Sequence, residues 1–270
     1  MVAINTNVGA LLARKDAVLS DNRAETHIRR LSSGLRLNGA SDGAGELGVV
    51  NNLRANLRGI NVGIKNSYDA ISLLETADAG VTTAQSLVQR MRELAVQMSN
   101  AIYTNNDRLN AHVEFAALAT SITALSNDTM FNGDILLDGS LALTMRIGDN
   151  ATQTLTVIID DAGSGAITTV TQTISTMAQA KEAVGTLDTA IVTLANNQAD
   201  IGSFINRLTF HIEAASSGSV AMEKAVGRMA DTDYAKETAL LAREQILNQA
   251  ATAILAQANA SKNNILQLFN

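Results

Sequence analysis

The chain has 270 residues, enough for one or two domains; 46% are hydrophobic, but only 3% are aromatic and none is Trp. A formal net charge of -6 and a pI near 5.1 argue against a nucleic-acid binder, which needs a basic patch to release counterions. The absence of Cys excludes disulfides and thiolate metal sites, and the absence of Pro removes the residue that most reliably breaks a helix. The opening Met1-Val2-Ala3-Ile4-Asn5-Thr6-Asn7 lacks the basic and apolar regions of a secretory signal. No apolar run approaches the roughly 20 residues of a membrane helix. We therefore expect no membrane span, and any export to use a route that does not read such a signal.

In chain order, Val8, Leu11, Val18, Ile28, Leu31 and Leu35 form a thin helical stripe, which the pattern carries on through Asn38. A second stripe runs from Val50 through Leu53, Leu57, Ile60, Ile64, Ile71, Leu74, Val81, Leu87, Met91, Leu94 and Met98. It predicts one helix over about 44–100 that tolerates Gly59, Gly63 and Gly80 at roughly 1 kcal/mol each. Asn105-Asn106-Asp107 supplies caps for a further helix over about 107–127, with Leu118, Ile122 and Leu125 on its buried face. Asn132-Gly133 and Asp138-Gly139 are turn signals.

The period then falls to two. Leu141, Leu143, Met145 and Ile147 alternate with small or polar residues, as do Leu155, Val157 and Ile159, around Gly148-Asp149-Asn150. This predicts a β-hairpin at about 135–160. A polar stretch from Asp160 to Thr173 leads into the strongest pattern of the chain. Met177, Ala180, Val184, Leu187, Ile191, Leu194, Ile201, Ile205, Leu208, Ile212 and Ala215 recur in steps of three and four, interrupted by Gln198. A period near 3.5 keeps one stripe against a partner helix, and about 1.5 Å per residue makes this stretch roughly 60 Å long. Finally, Leu240, Leu247, Ala251, Ile254, Ala258, Ile265 and Leu268 form a heptad row. Amphipathic helices at both ends can pair, yet a lone pair leaves apolar surface wet. Burying it against neighbouring copies is the economical solution.

The search for chemistry is negative. Gly43-Ala44-Gly45-Glu46-Leu47-Gly48 has dinucleotide-binding spacing, but no buried strand precedes it. His27, His112 and His211 lack ligand spacing and read as surface or groove residues. Asp160-Asp161 has no neighbouring nucleophile or acid, and Met91, Met98 and Met177 read as core filler. No catalytic residue, cofactor site or metal ligand is expected.

Several local words carry a family resemblance: Ile4-Asn5-Thr6-Asn7, Arg30-Leu31-Ser32-Ser33-Gly34-Leu35-Arg36-Leu37-Asn38, Gln89-Arg90-Met91-Arg92-Glu93-Leu94-Ala95-Val96-Gln97 and Phe131-Asn132-Gly133. Asn206-Arg207-Leu208, Asp233-Tyr234-Ala235, Gln245-Ile246-Leu247-Asn248-Gln249-Ala250 and Leu255-Ala256-Gln257-Ala258-Asn259 continue them. Together they resemble the amino- and carboxyl-terminal segments of bacterial flagellins. The resemblance implies a mainly α fold: a long antiparallel helical rod or coiled-coil bundle with a small β-hairpin, plus paired terminal helices. It divides the chain into a filament-core domain, 1–43 with 232–270, and a rod-like domain, 44–231, without the variable outer domains. The function implied is that of a structural, non-enzymatic subunit of the extracellular flagellar filament. A hook-filament junction protein and a coiled-coil adaptor stand as alternatives.

The subunit interface is expected to use Leu11, Val18, Ile28, Leu31, Leu240, Leu247, Ile254, Ala258, Ile265 and Leu268. The implied partners are further copies of the chain, the flagellar type III export apparatus, an export chaperone, the filament cap and hook-associated proteins. Arg90, Leu94 and Glu114 fall where family members meet the innate immune receptor for flagellin. A charge contact between subunits explains Arg90 and Glu114 equally well.

Overall fold

The computed structural model describes residues 6–139, 141–159 and 173–268, with side chains of the last helix described as far as Lys262. Five helices dominate: α1 (Val8–Ser33), α2 (Ala40–Met98), α3 (Asn105–Asp128), α4 (Met177–Ala230) and α5 (Tyr234–Leu268). Four short strands, β1 (Met130–Phe131), β2 (Asp134–Ile135), β3 (Ala142–Arg146) and β4 (Thr154–Ile158), form two antiparallel pairs, β1 with β2 and β3 with β4. The fold is mainly α with paired terminal helices and a small β-hairpin, as the sequence leads one to expect.

The chain divides into two units, 1–55 with 221–270 and 56–220. Both boundaries fall inside continuous helices, so no linker marks them. The division expected from the sequence, 1–43 with 232–270 against 44–231, lies nearer the ends; Gly43 is the non-helical residue within α2.

In the second unit, antiparallel packing of α2 and α4 follows from Arg92 donating to Asp188 and Gln198 donating to Thr82. The closest seam on α2 is Ala70, Leu74, Ala77, Val81, Ala84, Val88, Met91, Ala95 and Met98, all buried. Facing it, Ala180, Ala183, Leu187, Ala190, Leu194, Asn197, Ile201 and Leu208 are buried on α4. Each fully covered Leu or Met contributes about 1.5–3 kcal/mol, and the interleaved Ala residues let the helix backbones approach. The row read from sequence as the centre is thus only partly central: Val184, Ile191 and Ile205 flank the core half-buried. Met177, at the first position of α4, is exposed and fills no core.

α3 covers this pair with Phe115 and Ile122. Its cap differs from the expected one. Thr104 accepts from the Asp107 amide, and Asp107 accepts from the Thr104 amide, a reciprocal box that starts the helix one residue after Thr104. Arg108, buried, donates to the carbonyls of Met98 at 2.8 Å and Asn100 at 2.9 Å. It thereby satisfies acceptors just where α2 ends.

The β3–β4 hairpin pairs Leu143 with Val157 and Met145 with Leu155, with Leu155 and Val157 buried. It lies against α2 where glycine is required. A Cβ on Gly63 would stand 2.7 Å from the carbonyl carbon of Ile147, and one on Gly59 2.8 Å from the Asp149 Cβ. The turn at Asn132-Gly133, with φ of 52° and 95°, carries the smaller β1–β2 pair, which the sequence shows only as a turn.

In the first unit, α1 stops at Ser33 and does not continue through Asn38 as its pattern predicts. Gly34 takes the left-handed conformation (φ 71°) and donates to Arg30 O at 2.9 Å. The chain then makes an isolated bridge between Leu35 and Asp231, through Arg36 N to Ala230 O at 2.7 Å and Thr232 N to Gly34 O at 2.9 Å. Leu37, Val50 and Ala230 form a small core beside it. The Asp160-Asp161 pair and the 160–172 part of the polar stretch lie outside the described residues.

Candidate assembly surface

α1 and α5 run antiparallel, with their register fixed by polar pairs. Asn7 Nδ2 donates to Ala258 O at 3.1 Å, Asn248 Nδ2 to Asp21 Oδ1 at 2.7 Å, and His27 Nδ1 lies 2.8 Å from Glu237 Oε1. The α1 side of the seam is Ala10, Ala13, Ala17, Ser20, Ala24, His27 and Leu31, a repeat of threes and fours built mainly from small residues. The α5 side is Glu237, Leu241, Glu244, Asn248, Ala251, Leu255 and Ala258. His27 therefore has a structural partner, whereas His112 and His211 are half-buried, each with a buried Nδ1 that has no hydrogen-bond partner.

Small residues on the α1 side of the seam leave the large ones of that helix facing outward, while α5 keeps Leu241 and Leu255 at the seam and turns Leu247 and Ile254 out. Leu11 is 56% exposed, Val18 52%, Ile28 52%, Leu247 41% and Ile254 59%. Leu31, Leu240 and Ala258 are half-buried. Ile265 and Leu268 belong to the last turns of α5, but their side chains lie outside the described residues. Leu247 and Ile254 line a groove; Leu11, Val18 and Ile28 lie outside it. The groove, of about 510 Å³, runs between the two helices and is lined also by Leu12 and Leu19, by the small Ala13 and Ala251, and by the charged Asp16 and Arg23. One carboxylate oxygen of the buried Glu244 has no hydrogen-bond partner.

At the far end of the seam Glu237 also receives Arg30 at 3.4 Å. Burial pushes its carboxyl up, but the His27 hydrogen bond and the charges of His27 and Arg30 outweigh that and hold it below its ordinary value. Asp42 is likewise lowered. Burial opposes the shift, while the Asn38 and Gly39 amides, each at 3.1 Å, and the Arg30 and Arg29 charges drive it. These carboxylates tie the α1–α5 pair to the start of α2. Periodicity gives no sign of them, because they are single polar residues inside helical patterns.

On the second unit, Arg90 donates through Nε (3.0 Å) and Nη2 (2.8 Å) to Glu114, and through Nη1 to Glu93 at 3.2 Å. Leu94 is 4% exposed and packs inward, so of these three candidate residues only Arg90 and Glu114 present charge at the surface. Among the described residues there is no group of three or more His, Asp or Glu placed to hold a metal, and no helix is long and apolar enough to cross a membrane. The Gly43–Gly48 spacing lies at the start of α2 and follows a turn, with no βαβ unit around it.

The family described as bacterial flagellin N-terminal helical region matches residues 4–142, and the bacterial flagellin C-terminal helical region matches residues 184–269. The chain belongs to the bacterial flagellin family. Its relatives extend over nearly the whole length. A flagellin of Bacillus subtilis is 34% identical over 301 residues, and one of Halalkalibacterium halodurans 33% identical over 269; each alignment covers 98% of this chain and 99% of the relative. A flagellar filament 33 kDa core protein of Treponema phagedenis is 32% identical over 287 residues, with the same two coverages. Among solved structures, a Bacillus cereus flagellin superposes with a TM-score of 0.52 at 28% identity, covering 56% of this chain and 88% of that one. A putative flagellar hook-associated protein of Vibrio parahaemolyticus reaches 0.61 at 15% identity, over 70% of this chain and all of that one, a likeness of fold. Flagellins are structural proteins that polymerise with other flagellin copies.

Proposed function

We infer that the chain is a structural subunit that self-assembles into the bacterial flagellar filament. The observation that carries this reading is the arrangement of the terminal helix pair: small side chains on the α1 side of its seam, and large apolar ones of both helices facing out, Leu247 and Ile254 among them lining a groove. Contiguous exposed apolar surface of this kind marks an interaction site. The surface residues of the reading are Leu11, Val18, Ile28, Leu247 and Ile254, with Leu31, Leu240 and Ala258 shared between the internal seam and the neighbour. The division of labour proposed is a filament-core unit made of both chain ends and an outer helical unit made of the middle.

The family reading extends to the route and the company the chain keeps. It is exported through the flagellar type III apparatus, with a chaperone on its carboxyl-terminal helix. It is then added outside the cell beneath a filament cap, above hook-associated proteins. Arg90 and Glu114 are the residues through which an innate immune receptor for flagellin would read its surface.

Ile254→Asp provides the test. Burial of an Ile is worth about 1.5–3 kcal/mol per contact, and a carboxylate there reverses the sign at every repeat. The expected outcome is loss of pelletable polymer on short filament seeds with unchanged helical circular dichroism. Normal pellets from this variant would defeat the reading. A junction protein would add one layer to seeds and stop, whereas continued elongation identifies the filament subunit.

A further inference from the structure

Phe210, on α4 of the second unit, is 71% exposed, an unusual position for an aromatic side chain in a chain with only five Phe. One helical turn to either side stand Arg207 and Glu213, on the same face. In the same unit, between the β3–β4 hairpin and α2, lies a cleft of about 260 Å³. Its apolar lining includes Ala70, Leu73, Phe131, Leu143 and Met145, and its charged members are Asp69 and Arg146. The cleft is open to solvent, and its volume is of the order that a benzyl group needs. Its Phe and Met lining suits an aromatic ring, through ring-ring and sulfur-ring contacts.

We propose that Phe210 of one copy seats in the hairpin–α2 cleft of a neighbouring copy, with Arg207 meeting Asp69 and Glu213 meeting Arg146 across the contact. The occupant is a second copy because knob and socket carry matching charges. The knob is flanked by one cation and one anion, and the socket offers one of each. None of these four side chains has an oppositely charged group within 4 Å among the described residues, although the Arg207 guanidinium lies 5.8 Å from the Phe204 ring centroid; other charged residues of this unit, such as Arg90 and Arg92, are paired. A knob and a socket on different parts of one surface make a heterologous contact, which propagates instead of closing on itself. The inference rests on the filament-subunit reading and names a second contact for it, separate from the terminal helices.

The test uses the full chain elongating on short filament seeds. With p-benzoylphenylalanine in place of Phe210, doped into wild-type filaments and irradiated, cross-links between copies are expected within residues 66–73 or 143–146 or at Phe131; cross-links elsewhere overturn the proposal. Phe210→Ala is expected to raise the critical concentration at least about tenfold, as for a buried aromatic anchor, with the monomer's helical signal unchanged. Arg207→Glu is expected to weaken assembly and added Asp69→Arg to restore it. Independent effects of the two changes overturn the pairing. Wild-type chain that fails to elongate seeds defeats the filament reading itself. Wild-type chain that elongates while Phe210→Ala elongates equally well defeats only the knob-and-socket contact.

Discussion

The two helix pairs of this chain are built on the same repeat and put it to opposite uses. Between α2 and α4 the large residues point inward: Leu74, Val81, Met91, Leu187, Leu194 and Leu208 are fully covered within the chain. Between α1 and α5 the inward positions go to Ala13, Ala17, Ser20 and Ala251, and register is kept by Asn7, Asn248, His27 and Glu237. The first arrangement satisfies itself. The second holds two helices in register while leaving Leu11, Val18 and Ile254 for something else to cover. Periodicity alone therefore does not separate a covered core from an exposed apolar face; on α1 the small residues of the inner line make the difference.

The contrast can be broken most strongly in the core. Leu194→Ala removes a side chain with no exposed surface, and an expected loss of about 2–5 kcal/mol should appear in denaturant unfolding of the monomer. Leu11→Ala should leave that same unfolding curve within about 0.5 kcal/mol of wild type while impairing assembly on seeds. Equal destabilisation of the monomer by both changes would erase the distinction.

A smaller effect is expected at the hairpin. Gly63→Ala drives a methyl group into the Ile147 carbonyl, and overpacking against backbone costs about 1–3 kcal/mol. Thermal unfolding measures the loss, which should be confined to the second unit.

The smallest effect, and the one that sharpens the comparison, is on pH dependence. The Glu237 carboxyl is depressed in the folded chain, so its contribution is fully present above the ordinary carboxylate value of about 4.3 and disappears as pH falls through the lower folded value. Asp42 acts with the same sign. Amide exchange on filaments should show α1 and α5 loosening at acid pH before the α2–α4 core. Glu237→Gln should flatten that early loss, and a variant with an unchanged acid profile would remove the carboxylate from the account.

Much of this architecture is legible in the sequence because long helices repeat their signal many times. The α2 and α4 stripes, the period-two hairpin around Gly148 and the absence of Pro locate most of the elements. What escapes is whatever a single residue decides. Gly34 ends α1 although the apolar spacing runs on to Leu37, because a left-handed residue outweighs a weak stripe. Thr104 takes the cap that Asn105 offers on propensity, because Asp107 can answer it from the third position. The α4 seam lies on Ala183, Ala190 and Asn197 beside the more conspicuous Ile191 and Ile205, since small residues permit the closest approach. The proposed assembly surface is legible as a set of apolar residues but not as a direction. Leu11 and Val18 look like a core stripe until the Ala line beside them is seen to occupy the inside.

The contact from Asn7 to Ala258 joins residues 251 positions apart. Closing so long a loop carries an entropic cost that short-range helix formation does not, and it cannot begin before residue 258 is available. The terminal pair is thus a seal that can close only after α5 has been made. A chain that stops short of α5 leaves α1 without its antiparallel mate, and Ala13, Ala17 and Ser20 on its inner line lose their cover.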